Sequence, residues 1–431
     1  MTVAITERAV APKISHARLI SACTIGNALE FYDFVVYSFF AATIGKLFFP
    51  AQEPAVQILL SFATYGVGFF LRPLGGVVLG AYADRAGRKR ATVLTLMMMA
   101  AGTAMIGLAP TFAQAGVFGT ALVVIGRLIQ GFSAGGEVGA STTLLAEYAP
   151  PDRRGFFGSW QLASQGLAVL VAAGMAWTIA NTLTPVEVEA WGWRVPFLLG
   201  ILIVPIGLWL RSALEETHAN ESDAKTAKVN ALGQALRFHW KRILSGVALV
   251  IGGTAANAII VLYMSTYAVR QLGMAPSTAL FAGIMAGLVT LIASPIGGAL
   301  SDRFGRKTVA TIAYAVLILT IYPAFLAINA SPTVTTLLIA VCFLAILNAA
   351  GGATVIITLA EIFPAEVRAT GMSLVYALGV AIFGGFGQFI VTWLIQATGS
   401  PIAPAYYVIA CGVATLVALR TIPEMSGKTL T

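Results

Sequence analysis

Long runs without a charged residue alternate along this chain with short polar, basic segments. Charge-free stretches occupy 91–126, 155–186, 243–269, 271–301, 308–360 and 369–419. About 20 mostly apolar residues are enough for one helix to cross a bilayer. Several runs therefore hold two crossings, with turns marked by Pro110-Thr111, Ser331-Pro332 and Gly399-Ser400-Pro401. The pattern predicts twelve spans at 19–42, 57–82, 91–110, 116–147, 155–180, 192–211, 242–269, 277–299, 308–328, 333–361, 367–397 and 403–421.

Composition agrees with the pattern. Of 431 residues, 58% are hydrophobic and 10% charged, against roughly 25% charged in a soluble domain. Mean hydropathy is +0.86. A soluble surface cannot be built from so few charges, and a disordered chain is poor in apolar residues. Residues 1–18 have no apolar core, and the first apolar run contains Glu30 and Asp33, so no cleavable signal is expected. Cys23, Cys342 and Cys411 lie in apolar runs and read as packing residues. The three histidines fall outside those runs, so no metal site is expected in the membrane.

The net charge of +8 invites a nucleic-acid reading, but its distribution answers it. With twelve spans, 21 Lys and Arg lie on the side of the two termini and three (Lys46, Arg194, Arg270) on the other. The positive-inside bias places both termini in the cytoplasm and leaves no role for nucleic acid.

The chain also repeats itself. Asp84-Arg85-Ala86-Gly87-Arg88-Lys89 returns as Asp302-Arg303-Phe304-Gly305-Arg306-Lys307. Ala146-Glu147 with Pro150 and Arg154 returns as Ala360-Glu361 with Pro364 and Arg368, and Pro73-Leu74-Gly75-Gly76 as Pro295-Ile296-Gly297-Gly298. Offsets of 214 to 222 residues predict two pseudo-symmetric six-helix bundles. The expected division is an N-terminal segment 1–18, a bundle 19–211, a cytoplasmic linker 212–241, a second bundle 242–421 and a tail 422–431. Paired bundles of this kind suit a transporter that rocks around a site at their interface.

The duplicated D-R-x-G-R-K loop resembles the major facilitator superfamily. Gly26-Asn27-Ala28-Leu29-Glu30-Phe31-Tyr32-Asp33-Phe34, Arg72-Pro73-Leu74-Gly75 and Gly126-Arg127 through Glu137 resemble its metabolite–proton symporters. Ser159-Trp160-Gln161 with Ala163-Ser164-Gln165, Glu189 through Phe197, and Ala381 through Gly385 resemble most the bacterial citrate–proton symporters. The resemblance implies proton symport of a carboxylate, citrate or another tricarboxylate, by alternating access across a bacterial inner membrane. It implies a monomer that uses the proton as coupling ion and no cofactor. A dicarboxylate or aromatic carboxylate is the alternative. A zwitterionic osmolyte ranks lower, because its carriers bear a long C-terminal extension and about ten residues follow the last span here. Asn257 through Tyr267 departs from the aromatic-rich pattern of the citrate members.

A charge at the bilayer centre costs about 2.5–3.5 kcal/mol on insertion scales, so each one asks for a reason. Arg127 falls near mid-membrane, where a guanidinium binds carboxylate bidentately; the alternative is a structural ion pair with Glu30 or Asp33. Arg72 either binds substrate or anchors Glu30 or Glu137. Asn27, Glu30, Asp33, Phe34 and Tyr37 share one face of span 1. Glu30 and Asp33 are the proton-carrier candidates, with Glu137 nearer the cytoplasm, and packing against the arginines is their alternative. Gln161, Ser164 and Gln165 form a second stripe, and Asn257, Asn348 and Tyr376, with Gln388, offer neutral contacts from the second half. Asp84, Arg85, Arg88, Glu147, Arg154, Asp302, Arg303, Glu361 and Arg368 are expected to form a cytoplasmic gate, with Glu147 set against Arg154 and Glu361 against Arg368. There is no P-loop and no nucleophile–base pair, so the chain is not read as an enzyme. A non-transporting receptor with this fold is the reading from another class.

Overall fold

The computed structural model describes residues 16–202, 205, 237, 239–364 and 367–427. Most of the expected linker 212–241 lies outside that set, as do residues 1–15 and 428–431. Among the described residues all regular structure is helical, as a bilayer demands of a chain that must satisfy its own backbone. The described helices follow the chain order of the twelve expected spans.

Span 1 runs His16–Phe39 and continues, after a 62° bend, as Ala41–Phe48, six residues past the expected end. Span 2 is Pro54–Phe70 followed by Arg72–Ala86, and span 3 is Arg88–Leu108. Span 4, expected as one run, is broken at Ala134–Gly136 into Val117–Ser133 and Glu137–Tyr148. Span 5 is Arg154–Thr182; span 6 is described over Arg194–Gly200. Span 7 is Trp240–Arg270, span 8 Pro276–Phe304, span 9 Arg306–Ala330 and span 10 Val334–Ile362. Span 11 comprises Arg368–Gly379, Val380–Gly385 and Gly387–Thr398, and span 12 is Ala403–Thr421. Eight of the described helices are individually long and apolar enough to cross a membrane, nine with the bent pair.

Local chemistry sets the ends. Proline opens spans 2 and 8, where its missing N–H has no helical partner to lose. Gly87 and Gly305 start spans 3 and 9 with φ of 91° and 93°, in a region open essentially to glycine alone. The repeated motif therefore bends the chain identically in both halves.

Spans 5 and 8 pack face to face across the two halves. A Cβ on Gly166 would lie 2.5 Å from the Leu291 nitrogen, and one on Gly287 2.5 Å from the Leu170 nitrogen. Nearer the loop-bearing basic end, Gly155 and Gly298 each abut the other's carbonyl. Small residues allow backbones this close where lipid supplies no hydrophobic drive. Spans 7 and 11 widen into π-helical turns over Asn257–Tyr263 and Val380–Gly385, a feature frequent at functional sites.

Candidate functional site

The charged centre lies inside the N-terminal half. Arg127 is completely buried. Its Nη1 donates to Gln130 Oε1 at 2.9 Å, while Nε and Nη2 have no hydrogen-bond partner among the described residues. The guanidinium lies 4.6 Å from the Phe34 ring centroid, 4.6 Å from Tyr37 and 5.0 Å from Tyr65. Arg72 is also buried, 4.4 Å from the centroid of the same Phe34 ring, 4.2 Å from Phe69 and 5.6 Å from Phe31. Its Nε and Nη2 likewise lack partners among the described residues. Desolvated cation–π contacts are worth about 2 kcal/mol each, so the rings hold the cations where water does not reach. Free donors on buried guanidinium groups are costly to keep and mark places where an acceptor fits.

The direct ion pair considered for Arg127 is not formed. Asp33 is fully buried against span 3, hydrogen-bonded to the Thr103 hydroxyl. Its Oδ2 lies 3.5 Å from Gln130 Nε2, and that nitrogen donates to Thr103 Oγ1 at 2.8 Å. Thr103 and Gln130 thus stand between the acid and the cation. Thr103 carries no signal in the sequence, and Gln130, which shares a face with Glu137 and sits one turn from Arg127, is not among the expected site residues. Glu30 is buried and is a charge neighbour of Arg72.

Between the halves lies a cavity of about 70 Å³, lined by spans 1, 2 and 5 on one side and 7, 9, 10 and 11 on the other. That is room for roughly five waters. Gln165, Asn257, Asn348 and Tyr376 stand on its wall. Gln165 Nε2 donates to the Tyr376 hydroxyl at 3.1 Å, joining the halves, and Asn348 Oδ1 has no partner among the described residues. Five aromatic rings, Phe31, Phe34, Tyr65, Phe69 and Tyr314, stand on the wall among aliphatic residues, and of these only Phe34, on the span 1 stripe, is singled out from sequence. Arg72 and Arg127 stand one ring behind it. Tyr314 had a signal: its ring rests on Gly351, about 3 Å from where a Cβ would be, so the Gly351-Gly352 pair in the sequence makes room for it.

Four expected substrate contacts, Asn27, Gln161, Ser164 and Tyr37, are placed elsewhere. Gln161 Nε2 donates to Asn27 Oδ1 at 2.9 Å, Asn27 Nδ2 donates to Ser164 Oγ, and that hydroxyl donates to the Gln161 carbonyl. They staple span 1 to span 5. The Tyr37 hydroxyl donates to the Ser61 carbonyl at 3.2 Å, away from the wall. Gln388 bonds Ser38 across the halves at 3.0 Å, on the side where Phe62 meets Tyr263.

At the basic end the repeat becomes a latch, with partners other than those expected. Asp302 accepts the Gly155 and Phe156 N–H groups at 2.7 and 2.8 Å, capping span 5 of the opposite half. Arg306, 1% exposed, holds Asp302 at 2.7 Å and grips Glu361 through Nε and Nη2 at 3.2 and 3.0 Å. The sequence reading named Arg303 instead, which points outward over Phe304. The turn at Gly305 explains this, since it aims the first residue of span 9 back at the interface. Glu147 pairs with Arg368 at 2.9 Å rather than with Arg154, and Arg154 is a charge neighbour of Glu361. Glu147 therefore pairs across the halves, whereas Glu361 pairs with Arg306 of its own half. The side chains of Asp84, Arg85, Arg88 and Glu137 lie outside the described residues.

Known proteins resemble this chain along its length. The family model described as sugar (and other) transporter matches residues 19–219 and again 212–431, one copy for each half. A citrate-proton symporter of Klebsiella pneumoniae is 38% identical over 395 residues, covering 92% of this chain and 89% of that protein. The ectoine/proline transporter ProP of Corynebacterium glutamicum is 34% identical over 427 residues, covering 95% and 84%. The E. coli xylose transporter XylE, solved in a partially occluded inward-open conformation, superposes with a TM-score of 0.73 at 20% identity, covering 96% of this chain and 99% of that one.

Proposed function

We propose that this chain, which belongs to the sugar (and other) transporter family of the major facilitator superfamily, is a proton-coupled symporter that imports a small carboxylate, citrate or another tricarboxylate first. The carrying observation is Arg127: a fully buried guanidinium with two unpartnered N–H-bearing nitrogens, stacked on Phe34 and Tyr65 of the cavity wall. A carboxylate matches that donor set. Arg72, behind the same wall, offers a second cation to a substrate with more than one carboxyl group. Gln165, Asn257, Asn348, Tyr314 and Tyr376 supply neutral contacts. The citrate-proton relative supports this substrate order.

Asp33 and Glu30 are the proposed proton carriers, the proton being the coupling ion with no cofactor. Burial favours the neutral form of an acid, and each net positive charge carried inward gains about 2.3 kcal/mol per 100 mV. The latch of Asp302, Arg306, Glu361, Glu147 and Arg368 is the proposed inner gate. The positive-inside bias puts it in the cytoplasm, with the chain acting as a monomer in an inner membrane.

The aromatic, uncharged wall favours a second reading, a zwitterion whose cationic head sits among the rings. One experiment separates the two. Purified protein in liposomes acidified outside is offered labelled citrate, a dicarboxylate, an aromatic carboxylate and glycine betaine. Citrate accumulation is expected. Accumulation of betaine alone selects the second reading, and uptake of none sinks both. Asp33→Asn is expected to abolish accumulation against a gradient, measured in the same vesicles. An Asp33→Asn protein that still concentrates substrate moves the proton site elsewhere.

A further inference from the structure

Asp33, Thr103, Gln130 and Arg127 are four completely buried groups joined by hydrogen bonds from an acid to a cation that do not touch. We propose that Thr103 and Gln130 are the relay through which a proton on Asp33 changes the hold on Arg127. This rests on the symport reading above.

The Thr103 hydroxyl has one hydrogen and two acceptors in reach, Asp33 Oδ2 and the Met99 carbonyl at 2.9 Å. It also accepts from Gln130 Nε2, and a hydroxyl oxygen has two acceptor positions. With Asp33 ionised, Thr103 donates to the carboxylate. When a proton arrives on Asp33, the acid's O–H becomes the donor to Thr103 Oγ1 and the hydroxyl turns to the Met99 carbonyl. Both states leave Thr103 satisfied, so the site accepts a proton without orphaning a buried polar group.

The next link is Gln130. Its amide nitrogen faces the carboxylate at 3.5 Å while its carbonyl accepts from Arg127 Nη1 at 2.9 Å. A negative charge on Asp33 fixes that orientation. Its neutralisation removes the charge that fixes the amide, leaves it only the bond to Thr103 Oγ1, and so loosens the side-chain hydrogen bond on Arg127 and eases the guanidinium toward a substrate carboxylate. The groups around Asp33 are Arg127 from span 4, Thr103 from span 3, Tyr32 on its own helix and the backbone of Gly200 from span 6. Gln130 and Thr103 are positioning residues, since neither meets substrate.

The test compares two assays in proteoliposomes: exchange of labelled citrate for internal citrate at equal pH, and accumulation under an inward proton gradient. Thr103→Val keeps the shape and removes the donor that only the ionised acid uses. It is expected to cut accumulation at least about tenfold with exchange reduced less than about threefold, tenfold being the effect of one lost charged hydrogen bond. Thr103→Ser is expected to stay within about threefold of the parent in both. Gln130→Leu, which leaves Arg127 permanently released, is expected to match Thr103→Val and decides the matter if that variant does not fold. The relay is overturned if accumulation survives in Thr103→Val or Gln130→Leu, if both assays fall together, or if Thr103→Ser fails like Thr103→Val. Failure of the parent protein in both assays across the carboxylate panel sinks the symport reading instead.

Discussion

Arg127→Ala is expected to weaken citrate binding about 100-fold while leaving the protein at least as stable to heat. Two charge-assisted hydrogen bonds at about 1.5 kcal/mol each account for the binding loss. The stability half of the expectation comes from the free state. Arg127 has one side-chain hydrogen bond and two unpartnered nitrogens in a fully buried setting, and a buried cation without its anion is a liability. Arg127→Lys is expected to bind nearly as poorly, because a point charge cannot replace the planar fork. The measurement is a thermal-shift titration with citrate on detergent-purified protein. Citrate affinity within threefold of the parent would remove Arg127 from the substrate site, and a large fall in unfolding temperature would recast it as a structural residue.

Gly298→Val is expected to hold the basic end of the bundle open and reduce uptake at least about tenfold. A Cβ at Gly298 meets the Gly155 carbonyl, which cannot retreat cheaply because it belongs to the helix backbone, and the Ser159 side chain at 2.7 Å. Overpacking of this kind costs about 1–3 kcal/mol, enough to shift a balanced two-state equilibrium by tenfold or more. The spread separates Asp302 from the Gly155 and Phe156 N–H groups that it caps. Gly174→Val is the control, since nothing lies within 4 Å of its Cβ position. The readout is maleimide labelling of Phe156→Cys in a background without Cys23, Cys342 and Cys411. Faster labelling in Gly298→Val is expected; unchanged labelling would mean that this contact does not govern closure.

The span pattern, the duplication and the charged centre could be read from the chain because each has a strong energetic signature. Twenty apolar residues, a repeated motif and a charge at membrane depth are costly to place by accident. The partners of those charges were not legible. Arg306 looked like its neighbour Arg303, and the difference is set by the φ of Gly305. Glu147 and Glu361 stand close in sequence to Arg154 and Arg368, whereas the fold pairs Glu147 with Arg368 of the other half and Glu361 with Arg306. Asn27, Gln161 and Ser164 lie at cavity depth in sequence yet bond one another, since three polar side chains on two touching helices satisfy themselves first. Most of the aromatic rings on the wall were invisible for the opposite reason: Phe31, Tyr65 and Phe69 look the same in lipid, in a core or around a cavity. The segment Glu189 through Phe197, which resembles citrate carriers, includes a fully buried Trp193 packed on Phe48 and Phe197, and none of it lines the cavity. Its likeness speaks to shared packing and says little about substrate.

The placement of Arg72 and Arg127 in the same half as Glu30 and Asp33 has an electrical consequence. Arg72, Arg127, Glu30 and Asp33 sum to zero when the acids are ionised. Helices that rock while carrying a balanced set of charges move no net charge through the membrane field. On the proposed cycle these four groups add nothing to the voltage dependence of the empty carrier's return.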